Sequence, residues 1–344
     1  MSLTFVVGTG RCGSTALSRV LSAHPDVLSV SELVVMGKKG PLRPGAGANA
    51  VDGATMWRHL SAPMPLMDAF AAAGRPTPEM AYPYGKGRFD PAVGVPAICH
   101  MTLPMLTADP DGLYDQLAAE VPRWPSRPLA DQYRALFAFL ASLLGRKVVV
   151  ERSGSSLAFV RELRRDFPEA RFVHMYRSGP ECALSMSRHP LFRLRAASAE
   201  VGRLRSAGAD LPPRLASLLA PPYDPERLSS LAVPLTFFGE MWTGMITAGL
   251  AALGELPSGT WSSLRYEDLL REPEAQLAGL AGFLGVPAPP GWLATAGGIL
   301  AGRTAGAASA EPAAAELAAL TAACEPGERA IATARQPLLT DLSR

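Results

Sequence analysis

Apolar and polar positions along this chain alternate between two patterns, short continuous apolar runs and longer stretches of helical period. Residues 3–7 (Leu-Thr-Phe-Val-Val) form a β-branched apolar run of the kind found in strands buried on both faces of a parallel sheet. Gly8-Thr-Gly-Arg-Cys-Gly13 follows. Residues 14–22 then place Leu17 and Leu21 on one face of a helix, which His24-Pro25 stops. Residues 27–30 read as a second short strand. From 36 to about 128 the regular texture breaks: proline and glycine are dense, short helical pieces (56–60, 66–73) appear, and Met, Trp and Tyr are scattered between them. Such a stretch reads as an insertion covering a substrate site rather than a second core.

Strand–helix alternation resumes at 129. A helix to 144 leads into a strand at 147–151, a helix at 155–167, a strand at 171–176 and a helix at 180–188. Repeats of this kind imply right-handed crossovers and a parallel sheet with helices on both faces. Residues 190–232, rich in Arg, Ser and Pro, read as a loop-and-helix excursion. A long apolar helix (235–253), a strand (261–265) and a helix (273–284) follow. Beyond 297 the chain is Ala/Gly-rich to about 323, the pattern of a mobile loop and then a surface helix. The expected fold class is α/β, with three layers and a central parallel sheet flanked by helices. The expected organisation is one domain over 1–344, with the 36–128 insertion over the substrate site and an Ala/Gly-rich segment at 297–344.

Composition narrows the functional classes. The chain has 344 residues, 48% hydrophobic and 19% charged, enough to bury a sizeable core and to exclude intrinsic disorder. Lys+Arg 33 against Asp+Glu 31 leaves a formal charge of +2, which argues against a broad nucleic-acid surface. Lysine is confined to Lys38, Lys39, Lys86 and Lys147, so an anion site must rest on arginine and backbone N–H groups. Cys12, Cys99, Cys182 and Cys324 show neither a C-x-x-C pair nor zinc spacing, and imply free thiols in a reducing compartment. No apolar run is long enough to span a bilayer, and the opening residues lack the basic n-region of a signal peptide. The expectation is a cytoplasmic protein without stable membrane insertion.

The sharpest local feature is Gly8-x-x-x-x-Gly13-Ser14-Thr15, between an expected strand and an expected helix. Its glycines let backbone N–H groups converge on an anion, the helix N-terminus adds partial positive charge, and the hydroxyls reach phosphate oxygens. An ordinary strand-to-helix turn is the competing reading. A Walker A loop carries lysine where this chain has Ser14, and Arg11 is the nearby cation instead. The loop suits phosphate but not Mg-triphosphate chemistry.

The run Phe5-Val-Val-Gly-Thr-Gly-Arg-Cys-Gly-Ser-Thr-Ala-Leu-Ser-Arg-Val-Leu-Ser-Ala-His-Pro-Asp-Val27 resembles the 5′-phosphosulfate loop of sulfotransferases that use 3′-phosphoadenosine-5′-phosphosulfate (PAPS). It is closest to their bacterial and tyrosylprotein branches, where R-x-G-(S/T)-T precedes a helix and then H-P-D-V. The resemblance implies a P-loop-like fold, PAPS as sulfuryl donor and PAP as product. It puts Gly10, Arg11, Cys12, Gly13, Ser14 and Thr15 on the nucleotide, and Glu32, eight residues after His24, in the role of general base. It also implies a 3′-phosphate site of Arg177, at the end of Arg171-Phe-Val-His-Met-Tyr-Arg177, with Ser185 on the next helix; Arg188 matches less cleanly. Arg152, in Glu151-Arg152-Ser153, stands where relatives carry a lysine that stabilises the transferring group.

Tyr266, in Arg265-Tyr-Glu-Asp-Leu269, corresponds to a tyrosine near the nucleotide base, and Phe283-Leu-Gly-Val-Pro287 to the family's F-L-G-x-P. The C-terminal R-K-G-x-x-G-x-x-K-like segment has no good copy; Gly298-Ile-Leu-Ala-Gly302-Arg303 is a loose stand-in that makes Arg303 a nucleotide candidate. The resemblance covers 3–32, 147–190 and 261–287. His100, in Ile98-Cys-His-Met-Thr-Leu-Pro104, is the rival base, while His24 reads as a helix stop and His174 as a core residue. The reaction implied is in-line sulfuryl transfer to a small-molecule hydroxyl without a metal, Arg11 and Arg152 holding the developing charge. If the aromatics and methionines of 56–84 form a cup, the acceptor is largely apolar. Two other readings stay open: a P-loop kinase or NTPase with Glu151 as a Walker-B-like acid, and a non-catalytic nucleotide-binding module.

Overall fold

The apolar runs pair side by side, as expected of strands that leave no polar face for water. In the computed structural model, which describes residues 2–36, 42–303 and 312–334, the strands are β1 (Ser2–Val7), β2 (Val27–Ser31), β3 (Ala50–Val51), β4 (Arg127–Pro128), β5 (Val148–Arg152), β6 (Arg171–Tyr176) and β7 (Trp261–Arg265). Five of them form one sheet in the order β2-β5-β1-β6-β7, parallel throughout and flanked by helices. The short β3 and β4 pair antiparallel and join the two ends of the irregular 50–128 stretch. Phe5 on β1 packs between Phe167 and Phe172, with ring centroids 5.3 and 5.8 Å away, and all three are buried.

Because every strand runs the same way, all five carboxyl ends lie along one edge. Strand order reverses around the central β1, and a crevice for ligands forms outside the strand ends at such a point. The edge is marked by Val7, Ser31, Arg152, Tyr176 and Arg265, with register pairs Ser31–Arg152, Val6–Arg152 and Tyr176–Arg265.

Three elements depart from the sequence pattern. The expected helix at 155–167 is a 3-10 turn, Ser156–Phe159, followed by the helix Val160–Asp166. Its first turn is bonded to the loop after β1 instead, with Leu157 N–H donating to Gly8 O (3.2 Å) and Ser155 Oγ to Thr9 O (3.1 Å). The 190–232 excursion opens with a 17-residue helix, Pro190–Ser206. That helix builds a small apolar cluster in which Ala197, Val201, Leu215 and Leu228 meet Phe70, Met80 and Met101. The irregular stretch therefore shares a second, minor core with 190–232.

The C-terminal mobile loop expected before the last helix falls partly on 304–311, outside the described residues, as does 335–344. The helix Ala314–Thr333 is not simply laid on the surface. Leu320 and Cys324 are buried against the helix Leu235–Gly254, and Thr243 Oγ1 donates to Ala323 O (2.8 Å). Glu328 accepts the Gly179 N–H at 2.6 Å, tying this helix to the turn after β6. No helix among the described residues is long and apolar enough to cross a membrane.

Candidate functional site

The chain places chemistry immediately beyond each strand of the sheet. Arg11 lies in the loop after β1, Glu32 directly follows β2, Arg152 ends β5, Arg177 directly follows β6 and Tyr266 directly follows β7. The loop itself is wound through left-handed backbone at Gly10 (φ 79°), Arg11 (φ 59°) and Gly13 (φ 89°). Gly13 is needed twice over. A Cβ there would be strained by φ and would sit 2.2 Å from a ring carbon of Tyr266. The helix Ser14–Ser22 starts next, with the Gly13 carbonyl accepting from Ala16 and Leu17 N–H (2.9 and 3.2 Å), so Ser14 and Thr15 sit at its positive end. The Cys12 side chain is fully buried, and that burial pushes the thiol up from its ordinary pKa.

The two residues expected at the 3′-phosphate meet the loop across roughly 170 residues of chain. Arg11 Nε donates to Ser185 Oγ at 3.1 Å, and Arg177 Nη1 donates to the Arg11 carbonyl at 3.4 Å. Arg177 also pairs with Glu181 (3.1 Å), one turn into the helix Gly179–Ser187, and its guanidinium carbon lies 5.6 Å from the Tyr266 ring centroid. Tyr266 is 5% exposed and wedged between Gly13 and Arg177, a support for the loop.

A residue with no signal in the sequence completes this corner. Glu79, from the irregular stretch, forms an ion pair with Arg11 Nη1, and its other oxygen lies 3.3 Å from His189 Nε2. Burial alone would raise the Glu79 pKa. The His189 hydrogen bond and the Arg11 charge outweigh it and hold the carboxyl well below the usual range. Nothing around Thr77-Pro-Glu-Met80 distinguishes it from other loops, and His189-Pro190 reads only as a helix boundary.

On the other side of the loop, Glu32 and Arg152 form a buried ion pair, with 8% and 2% exposure. The second Glu32 oxygen accepts the Gly154 N–H (2.9 Å), and the Glu32 N–H donates to Arg152 O (2.7 Å). Arg152 Nη2 reaches Ser31 Oγ (3.3 Å), while its Nε is buried without a hydrogen-bond partner among the described residues. Glu32 has φ 59°, as do Arg11 and Ser155, and these are the non-glycine residues of positive φ among those described. All three line the junction of the β1, β2 and β5 loops. Left-handed backbone at non-glycine residues costs on the order of 1–3 kcal/mol each and persists where surrounding structure enforces it, commonly at functional sites.

Glu151, next to Arg152 but on the opposite face of β5, is 1% exposed and accepts from Val34 N–H (3.1 Å) and Ser153 Oγ (2.5 Å). Burial pushes its carboxyl up to about 7, with Glu32 adding to the rise.

The structure does not bring His100 to this group. It is fully buried, with Nδ1 2.7 Å from Tyr84 OH and Nε2 3.1 Å from Asp68, so both nitrogens are engaged. Its neighbour Thr102 does reach the site edge, donating to Ser31 O at 2.7 Å. Arg303 is exposed, just past the helix Pro290–Leu300, and donates to Ile299 O at its end (3.0 Å), with no hydrogen bond to the loop residues among those described; Arg188 is likewise exposed. His24 accepts the Asp26 N–H (3.1 Å) and lies 2.8 Å from Pro287 O, joining the end of the first helix to the Phe283–Pro287 segment. His174 is buried on β6, stacked on Tyr176. No group of three or more His, Cys, Asp or Glu among the described residues could hold a metal ion.

No family model and no curated protein matches the sequence. Among solved structures, the sulfotransferase domain of the curacin biosynthetic pathway is 14% identical, covers 98% of this chain and 99% of its own, and has a TM-score of 0.45. The sulfotransferase domain of the Synechococcus PCC 7002 olefin synthase is 15% identical over 94% of each chain, at a TM-score of 0.45. Sulfotransferase STF9 from Mycobacterium avium is 15% identical over 98% of this chain and 77% of its own, at 0.47.

Proposed function

We propose that this protein is a sulfotransferase that carries the sulfuryl group of PAPS to a hydroxyl of a small-molecule acceptor. The observation that carries the reading is the junction of Arg11, Ser185 and Arg177. One arginine from a glycine-wound loop, one from a strand end and a helical hydroxyl meet at a single corner, and together they suit a nucleotide with phosphates at both ends. The left-handed loop, the helix start at Ser14 and the unpartnered buried N–H of Arg152 fit the 5′-phosphosulfate.

PAPS supplies the sulfuryl group and, as its leaving group, the 5′-phosphate of PAP. Within the chain, Glu32 is the base. Each of its oxygens has one partner, Arg152 or Gly154 N–H, which leaves a lone pair for an acceptor O–H. Glu32 takes that proton as the acceptor oxygen bonds to sulfur and the sulfur–oxygen bond to the 5′-phosphate breaks. Arg152 and Arg11, with the loop N–H groups, hold the charge that passes to the phosphate. They are fixed before the reaction, so little reorganisation is needed. Met56, Phe70, Met80 and Tyr82 of the 56–84 stretch are buried in packing and form no cup that would select an apolar acceptor; four buried free thiols suit a reducing compartment such as the cytoplasm.

The kinase reading loses support from the absent loop lysine and from Glu151, whose buried carboxyl is bonded to Val34 and Ser153 on the face opposite Arg152. The test is sulfonation of an acceptor panel with PAPS, with Arg11→Ala and Glu32→Gln run in parallel. Transfer that depends on PAPS and falls at least 100-fold in each variant is expected. Transfer without PAPS, or undiminished in Arg11→Ala, would refute it. PAP binding with a rate indifferent to Glu32→Gln would leave a non-catalytic binding module.

A further inference from the structure

The two cations flanking the loop each carry a carboxylate: Glu32 on Arg152 and Glu79 on Arg11. Glu32 has a task in the proposed chemistry, and Glu79 has none. Its carboxylate nevertheless sits where a phosphate oxygen would be held, on Arg11 and His189, beside the Ser185 hydroxyl that Arg11 also binds. We propose that Glu79 is an internal anion keeping the place of a nucleotide phosphate, and that nucleotide loading displaces it and frees residues 77–80 from the loop. This rests on the nucleotide reading above.

The attachment of 77–80 is built for exchange. Besides the Glu79 pairs, the hydrogen bond that ties the segment to the first helix among the described residues is a long one, Arg19 Nη2 to Pro78 O at 3.4 Å, while Met80 anchors its far end in the small apolar cluster. Its other bonds are local, Met80 N–H to Thr77 O (2.9 Å) and Thr77 N–H to Met80 Sδ (3.4 Å). Gly74 and Gly85 bracket it, both in left-handed backbone with open space around them, and give it places to pivot. A carboxylate and a phosphate can both meet an arginine fork bidentately, but a phosphate monoester carries more charge and three terminal oxygens, so it can serve Arg11, His189 and Ser185 at once and is the stronger ligand for the same donors. Just past the segment, Ala81 N–H donates to His100 O (2.9 Å), and His100 is bonded to Tyr84 and Asp68. Release of Glu79 thus reaches the stretch that would cover the acceptor, and couples nucleotide loading to it.

While Glu79 holds Arg11, apparent nucleotide affinity is reduced by the fraction of molecules in which the carboxylate is in place. Calorimetric titration of PAP into the wild type and Glu79→Gln, with hydrogen exchange of the wild-type 75–84 peptide with and without saturating PAP, tests the idea. Glu79→Gln is expected to bind PAP at least fivefold more tightly, and the peptide to exchange faster when PAP is bound. A smaller gain or a loss of affinity in a variant that melts normally, or a 75–84 peptide equally or better protected with PAP, overturns it. If Glu79→Gln does not fold, the wild-type exchange result decides. A wild type that binds no PAP defeats the nucleotide reading and this proposal together. A wild type that binds PAP without either expected change leaves the nucleotide reading standing and makes Glu79 a structural partner of Arg11.

Discussion

The Glu32–Arg152 pair offers the cleanest separation of charge from packing. Its side chains are 10% and 3% exposed, so solvent screens the pair little. Arg152→Met keeps most of the stem volume on β5 but strands the Glu32 carboxylate against a buried strand end, with Gly154 N–H as its remaining partner. Removing one member of a buried pair costs about 3–5 kcal/mol, whereas replacing both by neutral groups is close to neutral. For 344 residues, an unfolding entropy of roughly 2 cal/mol/K per residue makes each kcal/mol worth about 1.4 °C. Arg152→Met is therefore expected to melt about 4–7 °C below the wild type by calorimetry. The double variant Arg152→Met/Glu32→Gln should recover part of that loss, melting above the Arg152→Met single despite its extra substitution. Both should lose transfer activity. A double variant melting at or below Arg152→Met would mean that stranded charge is not the dominant cost, and that the pair matters through packing.

Two further outcomes follow from the same corner. Folded Glu151 keeps its proton up to about pH 7, where an unfolded glutamate loses it near its ordinary 4.5, so stability falls as pH rises through that window and levels off above it. Glu151→Gln does not ionise, and its melting temperature relative to wild type should rise from pH 5 to pH 8, by up to about 3 kcal/mol in equivalent stability; a difference independent of pH would refute the buried neutral carboxyl. Gly13→Ala adds a Cβ at φ 89° against Tyr266 and should cost about 1–3 kcal/mol together with PAP affinity, less of the former in a Tyr266→Ala background, where only the backbone strain remains. Equal costs in the two backgrounds would show that Tyr266 does not constrain the loop.

The readable part of this molecule is the part that obeys a period. A parallel sheet buries both strand faces, so β1 and β5 stand out as near-continuous apolar runs, while β2, β6 and β7 are short runs interrupted by buried Ser29, His174, Ser262 and Ser263, and the chain just past each strand lands on the carboxyl edge. Arg11, Glu32, Arg177 and Tyr266 follow β1, β2, β6 and β7, but they are singled out by the family-like motifs around them and not by the period, and Arg152 closes β5 one residue later than the expected strand end. What escaped the sequence has no period. Arg11, Glu32 and Ser155 hold backbone conformations that glycine would advertise and they do not. Glu79 and His189 meet across 110 residues through a small core shared by 64–101 and 190–231, neither of which shows a continuous apolar face. His100 sits in a segment similar to the family's histidine context, but tertiary packing gave both its nitrogens to Asp68 and Tyr84.

The scarcity of lysine takes on a different meaning in this light. Arg11, Arg152 and Arg177 are gathered at one edge, yet each already carries a carboxylate, Glu79, Glu32 and Glu181 respectively. The site at rest is close to neutral, so it should attract small anions weakly, however many arginines line it. A ligand that offers phosphates to Arg11 and Arg177 at once can displace Glu79 and Glu181 together while Glu32 stays on Arg152, whereas a single inorganic anion must displace one carboxylate for one contact. On the proposed reading, selectivity for a doubly phosphorylated nucleotide over free phosphate or sulfate would be a property of the paired acids as much as of the arginines.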